Sequence, residues 1–138
     1  MRSLRRGFLS LALLWAACGT GPEFSTTRAQ FLVTACESSD VPQGQQFRIQ
    51  LHDSVQIVRA MTALQRPDSA AHMVVGRLAH GDGGFNAPWH WHLYPDSTWI
   101  ADGAVEICDG CPSQVEGGWG FQLGSFCPWT SHLVRRDW

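Results

Sequence analysis

The sequence predicts an α+β fold: a single small, disulfide-bonded domain with a mostly antiparallel sheet and one main helix. Three observations lead to this prediction. Short segments rich in strand-favouring residues lie on both sides of one segment with helical periodicity. The chain has 138 residues, which suits one domain. No internal repeat divides it. Strands placed before and after a single helix are typical of α+β domains.

The elements are predicted in the following order along the chain. Strands are expected at residues 29–35, 46–51, 73–78, 89–94, 99–108 and 131–135. The segment 46–51 alternates apolar and polar residues, which is typical of a half-buried strand. The helix is predicted to begin after Asp53 as N-cap, with Gln56 as its capping-box partner, and to end before Pro67.

The first 18 residues are predicted to be an export signal. Three arginines precede an apolar stretch at residues 8–15, and small residues follow it. The apolar stretch is much shorter than the roughly 20 residues that span a bilayer. Residues 1–18 are therefore expected to direct export rather than to form a membrane helix.

The end of this signal resembles a lipobox. Residues 16–19 read Ala-Ala-Cys-Gly, although Trp15 stands where an aliphatic residue is preferred. We therefore expect lipid attachment at Cys18 and a membrane-anchored lipoprotein that faces the periplasm or the cell exterior, with plain secretion as the alternative. Residues 19–28 then form a tether, and residues 29–138 form the domain.

Charge limits the class of partner. Residues 19–138 contain seven arginines, no lysine and twelve acidic residues, so their net charge is about −5 with neutral histidines. A protein that binds a phosphate backbone needs a basic face. We expect no nucleic-acid partner. The partners implied are the membrane, through the lipid, and an unidentified extracellular or periplasmic ligand.

The chain has five cysteines, of which four remain if Cys18 is lipidated. Export favours disulfides, and four cysteines allow three pairings, among which the spacing does not choose. Cys108 and Cys111 also form a C-x-x-C motif. That motif leaves open two alternatives: a redox-active dithiol, or a zinc site completed by Cys127 and His132.

Two histidines stand in the most unusual segment, residues 88–95. In a strand, His90 and His92 share one face, whereas Trp89, Trp91 and Leu93 face the core. The histidines could hold zinc or copper together with Glu106 from the next predicted strand, and His80 could approach from the loop before them. Alternatively, these residues bind a polar ligand, and the ligand-binding set is then His92, Glu106, Asp109 and Trp91. No complete catalytic constellation accompanies them, so an enzyme is not the leading expectation.

Several motifs together resemble one known family. They are Phe47-x-Ile49-x-Leu51, Asp53-Ser54-x-Gln56-Ile57-x-x-Ala60, Val75-Gly76-Arg77, Trp89-x-x-His92-Leu93-x-Pro95, Glu106-Ile107-Cys108-Asp109-Gly110 and Cys127-Pro128-Trp129-x-Ser131. The family is that of the "BP-seventy-four" N-terminal-domain-like proteins, which are small extracellular or secreted domains. The resemblance covers about residues 30–136, and the last two motifs are its most specific parts.

The resemblance implies an exported α+β domain and supplies no enzymatic activity. It also implies a disulfide pairing. The family pattern has counterparts of Cys108 and Cys127, which indicates a shared Cys108–Cys127 bridge and an additional Cys36–Cys111 bridge. The pattern includes His92 and treats His90 as optional, which favours a structural or ligand-contacting role for His92 over a two-histidine metal site.

Overall fold

A computed structural model describes residues 27–66, 72–104 and 106–138. The predicted export signal, Cys18 and nearly all of the predicted tether lie outside the described residues, and so does the side chain of Glu106. Among the helices of the described residues, none is long and apolar enough to cross a membrane.

The described residues form seven strands and two α-helices, with three short 3-10 helices between them. The strands are β1 (Ala29–Ala35), β2 (Gln45–Leu51), β3 (Met73–His80), β4 (Trp91–Leu93), β5 (Trp99–Ala101), β6 (Ser125–Phe126) and β7 (His132–Arg136). The helices are α1 (Ser54–Gln65) and α2 (Pro112–Glu116), and the 3-10 helices are Pro95–Ser97, Glu106–Cys108 and Trp119–Gln122.

The strands make two antiparallel sheets. The first has the order β2-β1-β7, and the second has the order β4-β3-β5, with β6 also paired to β3. Apolar residues of both sheets and of α1 lie in one buried cluster. With two antiparallel sheets, one main helix and two disulfides, the structure confirms the predicted α+β class.

The helix α1 begins where the sequence predicts, but its cap differs in one respect. The Asp53 carboxylate accepts hydrogen bonds from the backbone N–H groups of Val55 and Gln56. The prediction that the Gln56 side chain completes a capping box is wrong. Its Oε1 instead accepts a hydrogen bond from Ile100 N at 2.8 Å, which joins the helix to β5.

Two predicted strands are shorter in the structure because their pairing partner ends. The strand predicted at 99–108 stops at Ala101, since Ala101 pairs with Met73, the first residue of β3. The chain then forms the 3-10 helix Glu106–Cys108. The strand predicted at 89–94 is reduced to β4, because Trp91 pairs with His80, the last residue of β3. Helix α2 and strand β6 are present in the structure but were not predicted from the sequence.

Two disulfides join the C-terminal half of the domain to the sheets. Cys108 and Cys127 form one bridge with a Cα–Cα distance of 5.1 Å. Cys36 and Cys111 form the other at 5.7 Å. The two cysteines of the C-x-x-C motif are therefore each bonded to a distant partner rather than to each other, and the pairing is the one that the family resemblance implies.

Candidate functional site

The histidine segment places its alternate side chains on opposite sides of β4. Trp91 and Leu93 are fully buried, whereas His90 is exposed and His92 is half-buried. The Trp91 ring packs against Phe47 and Phe126, with ring centroids 5.5 and 5.4 Å apart. Trp91, which the sequence analysis included among possible ligand contacts, is thus a core residue.

His90 is hydrogen-bonded to Glu116, the last residue of helix α2. Its backbone N–H donates to one carboxylate oxygen of Glu116 at 3.0 Å, and its ring Nδ1 donates to the other. The hydrogen bond to Glu116 raises the pKa of His90, and the Coulombic attraction of that carboxylate acts in the same direction. The same side-chain hydrogen bond, followed by the backbone one, lowers the pKa of Glu116. Protonated His90 and ionised Glu116 therefore form an ion pair at the surface.

His92 is held by the loop before β4. Its Nδ1 donates to the carbonyl oxygen of Gly81 at 2.7 Å, because a carbonyl can only accept. Phe85 and Tyr94 contact its ring edge-on, with centroids 5.6 and 5.7 Å away. Gly83 approaches the ring so closely that a Cβ there would lie 2.7 Å from the ring Cγ. The His92 ring is therefore fixed in orientation, with Nε2 as its remaining polar atom.

The metal hypothesis requires a third ligand beside the two histidines. In the part of the chain that the structure describes, no group of three or more histidine, cysteine, aspartate or glutamate side chains is arranged to hold a metal ion. The side chain of Glu106, the third ligand in the hypothesis, is outside that part. The structure thus places His90 and His92 outside the core and gives no position for the third ligand.

Asp109 lies elsewhere, in the turn between the two disulfides. Its Oδ1 accepts hydrogen bonds from Gly110 N at 2.9 Å and from Trp129 N at 2.8 Å. No hydrogen bond between described residues uses Oδ2. The carboxylate is thus held by two backbone donors, and one of its oxygens is left for another partner.

Asp109 lines an open cleft of about 630 Å³ beside the Cys36–Cys111 disulfide. Small-molecule sites typically measure about 300–1,000 Å³. The lining residues come from the loop after β1, the start of β2, the turn before α2, α2 itself and the segment before β7: Cys36, Glu37, Ser38, Val41, Gln45, Asp109, Gly110, Cys111, Gln114 and Thr130. His92 is not among them, so the cleft contains Asp109 without His92.

Hydrogen bonds across the cleft fix its polar side chains. The Thr130 hydroxyl accepts from Cys36 N at 2.8 Å. The Gln114 Oε1 accepts from Cys111 N at 2.7 Å, and the Gln45 Oε1 accepts from Ser113 N at 2.8 Å. In each of these hydrogen bonds the side chain is the acceptor. Its own donor group can therefore bind a further acceptor: the hydroxyl hydrogen of Thr130, or the amide NH₂ of Gln114 and Gln45. The cleft therefore has oriented donors as well as carboxylates.

The indole of Trp119 adjoins this cleft. The Trp119 ring packs over Gly110, where an added Cβ would lie only 2.8 Å from the ring, and 42% of Trp119 is exposed. Trp129 follows the buried Pro128, and its backbone N–H donates to Asp109. Trp129 is also partly exposed. Glycine at position 110 is thus required for the close approach of Trp119 to the cleft.

Sequence reasoning missed most of this cleft. It singled out Asp109 but not Gln45, Gln114, Thr130 or Trp119 as site residues. The first two are far apart in sequence and belong to the unpredicted contact between α2 and β2. Gly110 is the one position from which the sequence could have indicated this packing. Glycine allows another group to approach the backbone closely, and Gly110 lies beside a cysteine with several tryptophans nearby in the sequence.

Comparison with known proteins identifies a family. A family model described as the "BP-seventy-four" N-terminal domain matches residues 28–137, which is most of the chain. No curated protein and no solved structure matches.

Proposed function

The chain belongs to the "BP-seventy-four" N-terminal domain family, and from this premise we propose that it is an exported, lipid-anchored, non-enzymatic binding domain. Its ligand would bind in the cleft beside the Cys36–Cys111 disulfide. The observation that carries the proposal is the cleft itself, which is about 630 Å³ in volume and has polar side chains that are already oriented. Preorganised polar groups lower the entropic cost of binding.

The way in which the carboxylates of the cleft are bonded supports binding rather than catalysis. Asp109 is held by two backbone N–H groups. Glu37 lies 3.4 Å from the ring Nε2 of His132 in an exposed pair. Among the described residues, neither carboxylate is hydrogen-bonded to a serine, threonine or cysteine that could act as a nucleophile. Both carboxylates are placed to accept hydrogen bonds from a ligand.

Two features support export and anchoring. Two disulfides in a small domain are typical of an oxidising compartment. Residues 19–28, the predicted tether, separate the lipobox cysteine from β1, and ten extended residues reach at most about 35 Å. Lipid at Cys18 would therefore keep the domain close to the membrane surface.

The anchoring part of the proposal is tested with Cys18→Ala. The wild-type chain should be recovered with membranes and should incorporate labelled fatty acid. The variant should lose the label and move to the soluble fraction, since the diacylated lipid would be the anchor. A variant that remains equally membrane-bound, with no label in either protein, would contradict lipidation.

The binding part is tested by following backbone amide resonances of the full chain during titration with four probe classes. These are neutral oligosaccharides, basic peptides, acidic peptides and nucleotides. A ligand of the cleft should shift the resonances of Gly110, Cys111 and Thr130 in a saturable way. Trp138, at the chain end, serves as the internal control. If no probe class shifts the cleft resonances, the cleft is not a binding site for any of these chemistries.

A metal-binding function of His90 and His92 is the second candidate, and one observation favours it. Both histidines use Nδ1 for a fixed hydrogen bond, to a carboxylate and to a carbonyl respectively, which is how metal-ligating histidines are commonly oriented. Nε2 would then be the ligand atom of each ring. Elemental analysis of the purified protein should find no stoichiometric zinc or copper if the cleft proposal is the whole function. Stoichiometric metal that is lost in His92→Ala would establish the second candidate.

A further inference from the structure

The charge of the cleft excludes one class of ligand. Glu37 and Asp109 line it, and neither arginine nor lysine is among its lining residues. A phosphate, sulfate or carboxylate group bound there would meet two carboxylates and no arginine or lysine, and of the two carboxylates only Glu37 is paired, with His132. The ligand is therefore neutral or cationic.

The balance of donors and acceptors separates these two possibilities. The amides of Gln45 and Gln114 each have their oxygen bonded within the protein, so their NH₂ groups are the parts that remain for a ligand. A cationic group has only donors and cannot accept from an NH₂. A sugar hydroxyl donates to a carboxylate and accepts from an amide at the same time. The mixture of carboxylates and amide donors in the cleft suits hydroxyl groups.

The Trp119 indole matches a second property of sugars. A pyranose ring has C–H groups on its faces, which pack against the flat apolar surface of an indole, while its hydroxyls point outward to polar partners. The Trp119 ring lies over Gly110, which lines the cleft.

We propose that the cleft between Asp109, Gln45 and Gln114, with the Trp119 indole at its side, binds a neutral saccharide. This inference rests on the proposed binding function of the same cleft and names its ligand class. The Asp109 carboxylate and the two amide NH₂ groups would bond the hydroxyls, and an indole would cover one face of the sugar ring. Binding would be weak for a single sugar and stronger for an oligosaccharide whose further units also contact the protein.

The test uses the full-length chain, purified in a detergent without a sugar headgroup, and isothermal titration with neutral oligosaccharides of glucose, N-acetylglucosamine, mannose and xylose. At least one should bind saturably. Asp109→Asn keeps an oxygen that can accept from Gly110 N and Trp129 N but removes the charge, and it should weaken binding about tenfold. Trp119→Ala should weaken it by a similar factor, about tenfold. Trp119→Phe, which keeps an aromatic ring, should retain part of the affinity and guards against a folding defect in the alanine variant.

The matched control is Trp99→Ala. Trp99 is as exposed as Trp119, at 42%, and lines a separate small hollow with Val75 and Ala104. Its loss should leave the affinity unchanged. If Asp109→Asn and Trp119→Ala bind the saccharide with the same affinity as Trp99→Ala, the proposed saccharide site is wrong. If no saccharide binds but another of the four probe classes shifts the cleft resonances, the ligand class is wrong and the proposed binding function stands. If no probe class shifts them, both proposals fail.

Discussion

His90 and Glu116 join the turn before β4 to the end of α2 through two hydrogen bonds. The raised pKa of His90 gives stability that is complete below its ordinary value of 6.5 and is lost as the pH rises through its raised value. The lowered pKa of Glu116 gives stability that is complete above its ordinary value of 4.5 and is lost as the pH falls through its lowered value. The pair therefore contributes most between these two ordinary values.

A pH titration of the His90 ring by NMR tests this pair. In Glu116→Gln, the pKa of His90 should fall toward its ordinary value, because the amide neither carries charge nor favours the protonated ring. The ring chemical shifts of His92 at a fixed pH serve as the internal control, since its Nδ1 donates to Gly81 O rather than to Glu116. An unchanged pKa of His90 in the variant would show that the ion pair does not form in solution.

Gly83 and Gly84 offer a second test at the residue scale. Both have positive φ, +63° and +78°, so alanine would be strained at either position. Only at Gly83 would the new methyl group also collide, with the rings of His92 and Phe85. We expect Gly83→Ala to lower the free energy of unfolding by about 1–3 kcal/mol more than Gly84→Ala. Urea unfolding of both variants measures the difference, and equal losses would mean that the loop moves away from His92 at little cost.

Helix α1 depends on its cap at the scale of the element. Asp53 bonds two N–H groups of the first turn, which otherwise have no partner within the helix. Asp53→Ala should lower the free energy of unfolding by about 1 kcal/mol. Asp53→Asn keeps an acceptor at the same place and should cost much less. Thermal or urea unfolding compares the two, and an equal loss in both would point to the charge of Asp53 rather than to its hydrogen bonds.

Buried polar side chains connect elements that are distant in sequence. The fully buried Asn86 accepts from Arg48 N and donates to the carbonyl of Trp91, so it joins β2 to β4. The buried Ser131 accepts from Val74 N and joins the segment before β7 to β3. Gln56 joins α1 to β5. None of these roles follows from local sequence, because asparagine, serine and glutamine have the same local preferences whether they are buried or exposed.

The length of each strand likewise depends on its partner. The residues 102–108 include alternating apolar and polar types, which favours a strand by periodicity. The partner strand β3 begins at Met73, which pairs with Ala101. It therefore has no residue that could pair with residues 102–108. Periodicity reports which face of a segment is apolar, whereas strand length requires a neighbour with free backbone groups.

The Cys36–Cys111 bridge constrains the whole molecule, since its cysteines are 75 residues apart in sequence. In the chain-entropy account, closing such a loop stabilises a domain by about 4–5 kcal/mol. The double variant Cys36→Ala, Cys111→Ala should therefore lose a large part of the roughly 5–15 kcal/mol typical of a domain. Urea unfolding under non-reducing conditions measures this loss.

Cys18→Ala is the control for this stability measurement, because it removes a cysteine that neither bridge uses. It should leave the free energy of unfolding unchanged. A loss below about 1 kcal/mol in the double variant would mean that the unfolded chain without the bridge is already compact, since loop closure costs little in a compact chain.

The sequence by itself determined the fold class, the family, the main helix with its cap residue, and the faces of β4. These depend on local pattern: periodicity, the N-cap residue and ordered motifs can each be read from neighbouring residues. Asp109 was also singled out from its motif, although its neighbours were not.

Only the tertiary structure decided where the strands end, how Gln56 is used, and which residues surround Asp109. The cleft brings together the loop after β1, the start of β2, the turn before α2 with α2 itself, and the segment before β7. Their contact is set by two disulfides and by side chain–backbone hydrogen bonds over separations as large as 94 residues. Such contacts leave no periodic signal, because the residues that make them are neighbours in space and not in sequence.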